Sequence, residues 1–198
     1  MELYSKNKSL SSFLKLVDKD LRENGIKLIL SISDVYMDNV IVAGYFSEYK
    51  REIVVKIEDN FVETLIHEYC HFLQFKNKKE LWKKSKLALN VMWNWLDGVD
   101  YHKQTITKAI RIVQELELDC EKNTIDIIEK YKLPIDKVKY IKYANAYILF
   151  HNYIIKNRVW FKDGLETMKE YVDLMPLTLD GDKTKMDKCI YKVLDKYF

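Results

Sequence analysis

A mostly helical α+β fold is what three features of this 198-residue chain predict. The β-rich runs "KLILSI", "VIVAGYFS" and "EIVVKI" all fall between residues 27 and 57. Beyond residue 58, apolar residues recur at spacings of three and four, the helical period, and nothing reads as a strand. Five Gly and two Pro leave few breaks in regular structure. A helix, a small sheet and then a run of helices is an α+β order.

The elements follow in sequence. "SLSSFLKLVDKDLREN" carries apolar Leu10, Phe13, Leu14 and Leu21 behind serines that suit a helix start, and it stops before Gly25. The three β-rich runs are separated by the polar stretches "SDVYMDN" and "EYKR". Turns this short predict a three-stranded, mostly antiparallel sheet. In "EDNFVE", Asn60 can cap a helix and Glu63 stands three residues on, so a helix runs to about Asn77. "ELWKKSKLALNVMWNWLDG" is a further helix closed by Gly98. A long helix from about His102 to Tyr131 ends ahead of Pro134, and another spans about Ile135 to Lys156. One or two shorter helices follow Gly164, the last carrying a stripe of Met186, Ile190, Val193 and Tyr197.

Composition bounds the function. The length suits one domain, residues 1–198, with a sizeable core. Lys and Arg number 33 against 30 Asp and Glu, in interleaved order. That balance lacks the basic footprint of nucleic-acid binding. No run of 18 apolar residues predicts a membrane span, and the opening "MELYSKNKSL" is too polar for a signal peptide. Three scattered cysteines, Cys70, Cys120 and Cys189, form no disulfide framework, so a reducing, cytoplasmic setting is expected.

The stretch "TLIHEYCHFLQF" carries chemistry. His67 and His71 are four apart, so on a helix both imidazoles lie on one face. Two ligands of one tetrahedral ion use that spacing, and Glu68 flanks them as a base for water. A third ligand is needed. The metzincin extension is absent, because Gln74 and Asn77 stand where Gly and His would be. His102, His151 or a downstream carboxylate remain.

In "IRIVQELELDCEKNTIDIIEKY", one helical stripe joins Ile110, Val113, Glu117, Cys120, Thr124, Ile127 and Tyr131. A carboxylate in an apolar stripe is costly without a cation, which makes Glu117 the expected third ligand. Glu115 shares its face with Arg111, Asp119 and Lys122 and reads as solvated. Cys120 on the same stripe is the rival ligand. Glu121, one turn after Glu117, can accept from the outer ring N–H of a ligand histidine.

His67-Glu68-x-x-His71 followed by "ELDCE" resembles the gluzincin metallopeptidases. The resemblance implies Glu117 as third ligand and Glu121 where that family has a supporting Asp; Glu115 with Asp119 fits the family spacing in another register. "HEYCHFLQF", "ELDCEK" and "YANAYILFH" together resemble metallopeptidases encoded by bacteriophages and other viruses, over about residues 60–160. This implies a zincin-like fold, with a small three-stranded sheet ahead of a helical bundle carrying the metal site. It also implies one Zn2+ per chain, a protein or peptide substrate and, for a viral protein, the host cytoplasm.

Tyr147 and His151, four apart on one helix face, are candidates for stabilising an oxyanion, against the alternative of an aromatic core stripe. Asn145 beside them offers polar support. "VAGYFS" is the candidate edge strand on which an extended peptide would dock. Trp82, Trp93 and Trp95 pack between helices or line a cleft. A deformylase, which also uses H-E-x-x-H, needs a cysteine ligand upstream, and none precedes Cys70. The competing class is a non-enzymatic metal-binding or partner-binding module, favoured if Cys120 or His151 closes the metal's shell.

Overall fold

The computed structural model describes residues 7–37, 40–160 and 164–198. Among the described residues it is α+β, with seven α-helices and little strand. In order these are α1 (Lys8–Glu23), β1 (Lys27–Ser31), β2 (Val35–Met37), β3 (Val40–Val42), β4 (Gly44–Ser47), β5 (Glu52–Lys56), α2 (Phe61–Asn77), α3 (Lys79–Leu96), α4 (Lys103–Tyr131), α5 (Lys137–Asn157), a 3-10 turn (Leu165–Thr167), α6 (Lys169–Asp173) and α7 (Lys188–Leu194). They fall into two compact units. One takes the chain up to Lys79 with Asn123–Ile135, and the other takes Glu80–Lys122 with Asp136–Phe198. Helix α4 is unbroken across that division.

In the first unit the sheet order is β1-β5-β4. β5 pairs antiparallel with β4 and parallel with β1, from Lys27 opposite Glu52 to Ser31 opposite Lys56. The sheet is therefore mixed rather than mostly antiparallel. β1 does not pair with its sequence neighbour, because an antiparallel ribbon of β2 and β3 intervenes. That ribbon takes Val35, Tyr36 and Met37 from a stretch that its polar flanks mark as a turn; Asp38 and Asn39 lie outside the described residues. "VIVAGYFS" divides at Ala43 into β3 and β4.

Period-two alternation gives the sheet two distinct faces. Phe46 stands on one and meets Phe72 and Phe75 of α2, with ring centroids 5.9 and 5.6 Å apart. Tyr45 and Val54 stand on the other and cluster with Val35 and Val42 of the ribbon. Helix α1 buries Leu10, Phe13, Val17 and Leu21, a stripe at spacings of three and four. Its Phe13 ring lies 5.1 Å from Tyr131 and 6.4 Å from Tyr69. Full burial of such a side chain stabilises by about 1.5–3 kcal/mol. The cap of α1 is Asn7, whose side chain accepts from Leu10 N–H, and not one of the serines. Asn60 holds the N-cap position of α2, but its side chain makes no capping bond.

The second unit has its own core, in which Met92, Ile110, Phe150, Ile154, Tyr171 and Leu194 are buried. Asp136 caps α5 by accepting from Lys139 N–H. Between α6 and α7 the chain is held by side-chain amides instead of regular structure. Asn145 donates to the Pro176 and Thr178 carbonyls at 2.9 Å each and accepts from buried Lys183 Nζ at 2.7 Å. Gln114 donates to the carbonyls of Ile148 and Lys183. Polar support is thus the role of Asn145. Trp93 packs 5.0 Å from Trp160, and Trp93 and Trp95 both border this core. The last helix is shorter than its stripe suggests. It buries Ile190 and Leu194, while Met186 and Tyr197 flank it. No helix among the described residues is long and apolar enough to cross a membrane.

Candidate metal centre

Helix α2 forms because Val62, Leu65, Ile66, Cys70 and Phe72 bury themselves, which leaves His67 and His71 on the flank. One turn separates the two histidines. Their rings stand nearly perpendicular with centroids 4.6 Å apart, and the two Nε2 atoms are 3.1 Å from each other. Both ring nitrogens thus converge on one point, as two ligands of a single ion must.

The tautomer of His71 is set by its other nitrogen. His71 Nδ1 lies 2.9 Å from Gln74 Oε1, which can only accept. The proton therefore sits on Nδ1 and the lone pair on Nε2, the arrangement a metal-ligating histidine requires. Gln74 is 1% exposed and held in place. In the sequence it marks only the missing metzincin glycine. Its position three residues after His71 on a helix was the available signal.

Glu68 is 8% exposed on the same helix. A Cβ added at Gly44 would lie 2.8 Å from Thr64 Cγ2, 2.8 Å from the Val54 carbonyl oxygen and 3.4 Å from Glu68 Cγ. Glycine therefore lets β4 lie directly against Thr64 and Glu68. β4 is an edge of the sheet, as the docking expectation for "VAGYFS" requires. Behind the histidines, Tyr69 donates to Asp20 Oδ2 at 2.8 Å and Lys76 to Asp20 Oδ1 at 2.9 Å. Burial, then the Asp20 carboxylate, push the Tyr69 phenol well above its ordinary range.

On α4, Ile110, Val113, Glu117, Cys120 and Thr124 are all buried, and Glu115 is exposed. Thr124 belongs to the first unit and donates to Cys70 Sγ of α2 at 3.4 Å. Cys120 lies one turn earlier on the same helix. Among the described residues, one group could hold a metal ion: His67, His71 and Cys120, whose ligand atoms all lie within 4.8 Å of one another. Of the two ligands expected from this stripe, the rival, Cys120, belongs to that group.

The other site candidates lie in the second unit. Glu121 is buried and accepts from the Tyr140 hydroxyl, a partner that sequence reasoning missed. His151 is fully buried. Its Nδ1–H donates to the Tyr147 carbonyl at 3.1 Å, and Nε2 has no hydrogen-bond partner among the described residues. Burial holds its pKa below the ordinary value, opposed by the negative charge of Glu117. Glu117 and His151 thus act on each other electrostatically. Tyr147 is half-buried in an aromatic cluster with His151 and Trp160, at centroid distances of 5.4 and 6.3 Å. His102 is exposed, and its Nδ1 accepts from Gln104 N–H.

No family model, curated protein or solved structure matches this chain.

Proposed function

We propose that the chain is a zinc-dependent metallopeptidase cleaving protein or peptide substrates. The observation that carries this reading is the convergence of His67 and His71 at 3.1 Å, with Gln74 fixing the His71 tautomer and Glu68 on the same helix. Two imidazole nitrogens and one donor from α4 suit zinc, which takes nitrogen, sulfur and carboxylate ligands. Glu117 is the proposed third ligand, with Glu121 in support. Zinc, when bound, would act as a Lewis acid and bring the pKa of a bound water to ~7.

The chain's own groups do the rest. Glu68 takes the proton of the attacking water and returns it to the departing amine. The substrate adds as a strand along the outer edge of β4, and Gly44 sets that strand against Glu68. Tyr147 and His151 are the proposed oxyanion partners.

One observation favours a second reading, a non-enzymatic module with a structural metal. Cys120 stands in the candidate group, and closed structural sites favour thiolate ligands. Replacing Glu68 with Gln separates the two. The peptidase reading expects loss of peptide hydrolysis by about 10²-fold or more with bound zinc unchanged. A Gln variant that retains full turnover defeats it. Wild-type protein that holds zinc and cleaves no peptide supports the structural alternative.

A further inference from the structure

The outer edge of β1 is built like an interface. Lys27 N–H donates to the Arg51 carbonyl, and Ile57 N–H donates to the Ser31 carbonyl. In a parallel ladder this alternation turns the backbone groups of Lys27, Ile29 and Ser31 toward β5. The N–H and C=O groups of Leu28 and Leu30 therefore face outward. No strand among the described residues pairs with them. Natural edges are blunted by charge, proline or a bulge. Here Leu28, Ile29 and Leu30 form an uncharged run, with one lysine at its start.

Apolar exposure concentrates beside this edge. Ile29 is 40% exposed, Leu30 46% and Ile32, just beyond the strand, 88%. A patch of this kind marks an interaction surface.

We propose that two copies of the chain pair through β1, antiparallel, about a twofold axis at Ile29, so that one sheet runs across both. A closed twofold interface must be self-complementary, and this strand is. With the axis at Ile29, all five residues of β1 pair. Leu28 exchanges hydrogen bonds with the partner's Leu30, and Ile29 faces the partner's Ile29 in a close, non-hydrogen-bonded pair. Lys27 falls opposite the partner's Ser31, so its ammonium meets a hydroxyl and no like charges are apposed. An edge uncharged except at one end, with that charge matched to a polar residue in this register, fits a second copy of itself. The pairing is independent of the metal reading, since β1 lies at the opposite edge from β4.

Sedimentation equilibrium of the full chain across micromolar concentrations tests this. The wild type is expected to be a dimer. Ile29→Lys should weaken it about tenfold or more, because two ammonium groups then meet across the axis. Ile29→Glu should do the same, and mixing the two variants should restore a dimer. Should either variant lose its circular-dichroism signature of folding, Ile29→Cys in a Cys189→Ser background serves instead. Oxidation should then link two chains through residue 29, since the pair's Cα separation of about 4.5 Å suits a disulfide. A monomeric wild type, a dimer indifferent to Ile29→Lys, or failure of residue 29 to crosslink would overturn the proposal.

Discussion

Single atoms decide whether the candidate metal site can bind an ion. His71 Nε2 presents its lone pair because Nδ1–H is engaged by Gln74. The proposed third ligand is one of two residues three apart on α4, and their chemistry separates them. A thiolate binds zinc tightly and favours a closed shell, whereas a carboxylate leaves a more Lewis-acidic ion. Metal content measured for wild type, Glu117→Ala and Cys120→Ala distinguishes them. The peptidase reading expects about one zinc per wild-type chain, loss in Glu117→Ala and retention in Cys120→Ala. The reverse order would assign the ligand to Cys120 and move the reading toward a structural site. Glu68 shows how little side-chain identity alone conveys. What the fold adds is its burial beside an edge strand, which Gly44 allows to approach.

Among elements, the contact of β4 with α2 brings an edge strand of the sheet to Glu68, the proposed base. Gly44→Ala tests that contact. The added methyl would meet Thr64 Cγ2 and the Val54 carbonyl oxygen at 2.8 Å, and a backbone atom cannot swing aside. Overpacking of this kind costs about 1–3 kcal/mol. Denaturant unfolding should therefore show a lower midpoint with an unchanged slope. Adding Thr64→Ser should restore only part of the loss, since it relieves one of the two clashes. An unshifted midpoint in Gly44→Ala would show that β4 can draw away from α2. In the second unit the link between α6 and α7 is set by Asn145, Gln114 and Lys183, each placing donors on its carbonyls. That is why a stretch with no helical or strand period is still ordered.

At the scale of the whole molecule, pH dependence follows from the tie between α1 and α2. Burial opposes ionisation of Asp20, but hydrogen bonds from Lys76 and Tyr69 outweigh it and hold the carboxyl below its ordinary 3.8. A carboxyl depressed on folding contributes stability that is complete above the unfolded value and is lost as pH falls through the folded one. Asp20→Asn should therefore lower Tm at neutral pH, and the gap from wild type should close below pH 3.8. Thermal melts from pH 2 to 7 measure it. A gap that stays constant across that range would mean that the Asp20 charge is not what joins the helices.

The sequence by itself determined the helices, because their signals are local. Apolar spacing, Gly98 and Pro134 placed α3, α4 and α5 within a residue or two, and the spacing of His67 and His71 by itself implies that they converge. It also singled out Glu117 and Cys120 on a buried stripe and exposed Glu115. Only the tertiary structure decided the pairing of β1 with β5, because strand partners are chosen by long-range packing that leaves no periodic trace. The ribbon at Val35–Met37 escaped notice because three residues between polar flanks carry too little alternation to register. Gln74, Gly44 and Tyr140 gained meaning only through what they touch: a ring nitrogen, a helix face and a buried carboxylate. A ligand spacing is written along one helix, whereas what surrounds Glu68 comes from a strand and a helix that meet only when the chain folds.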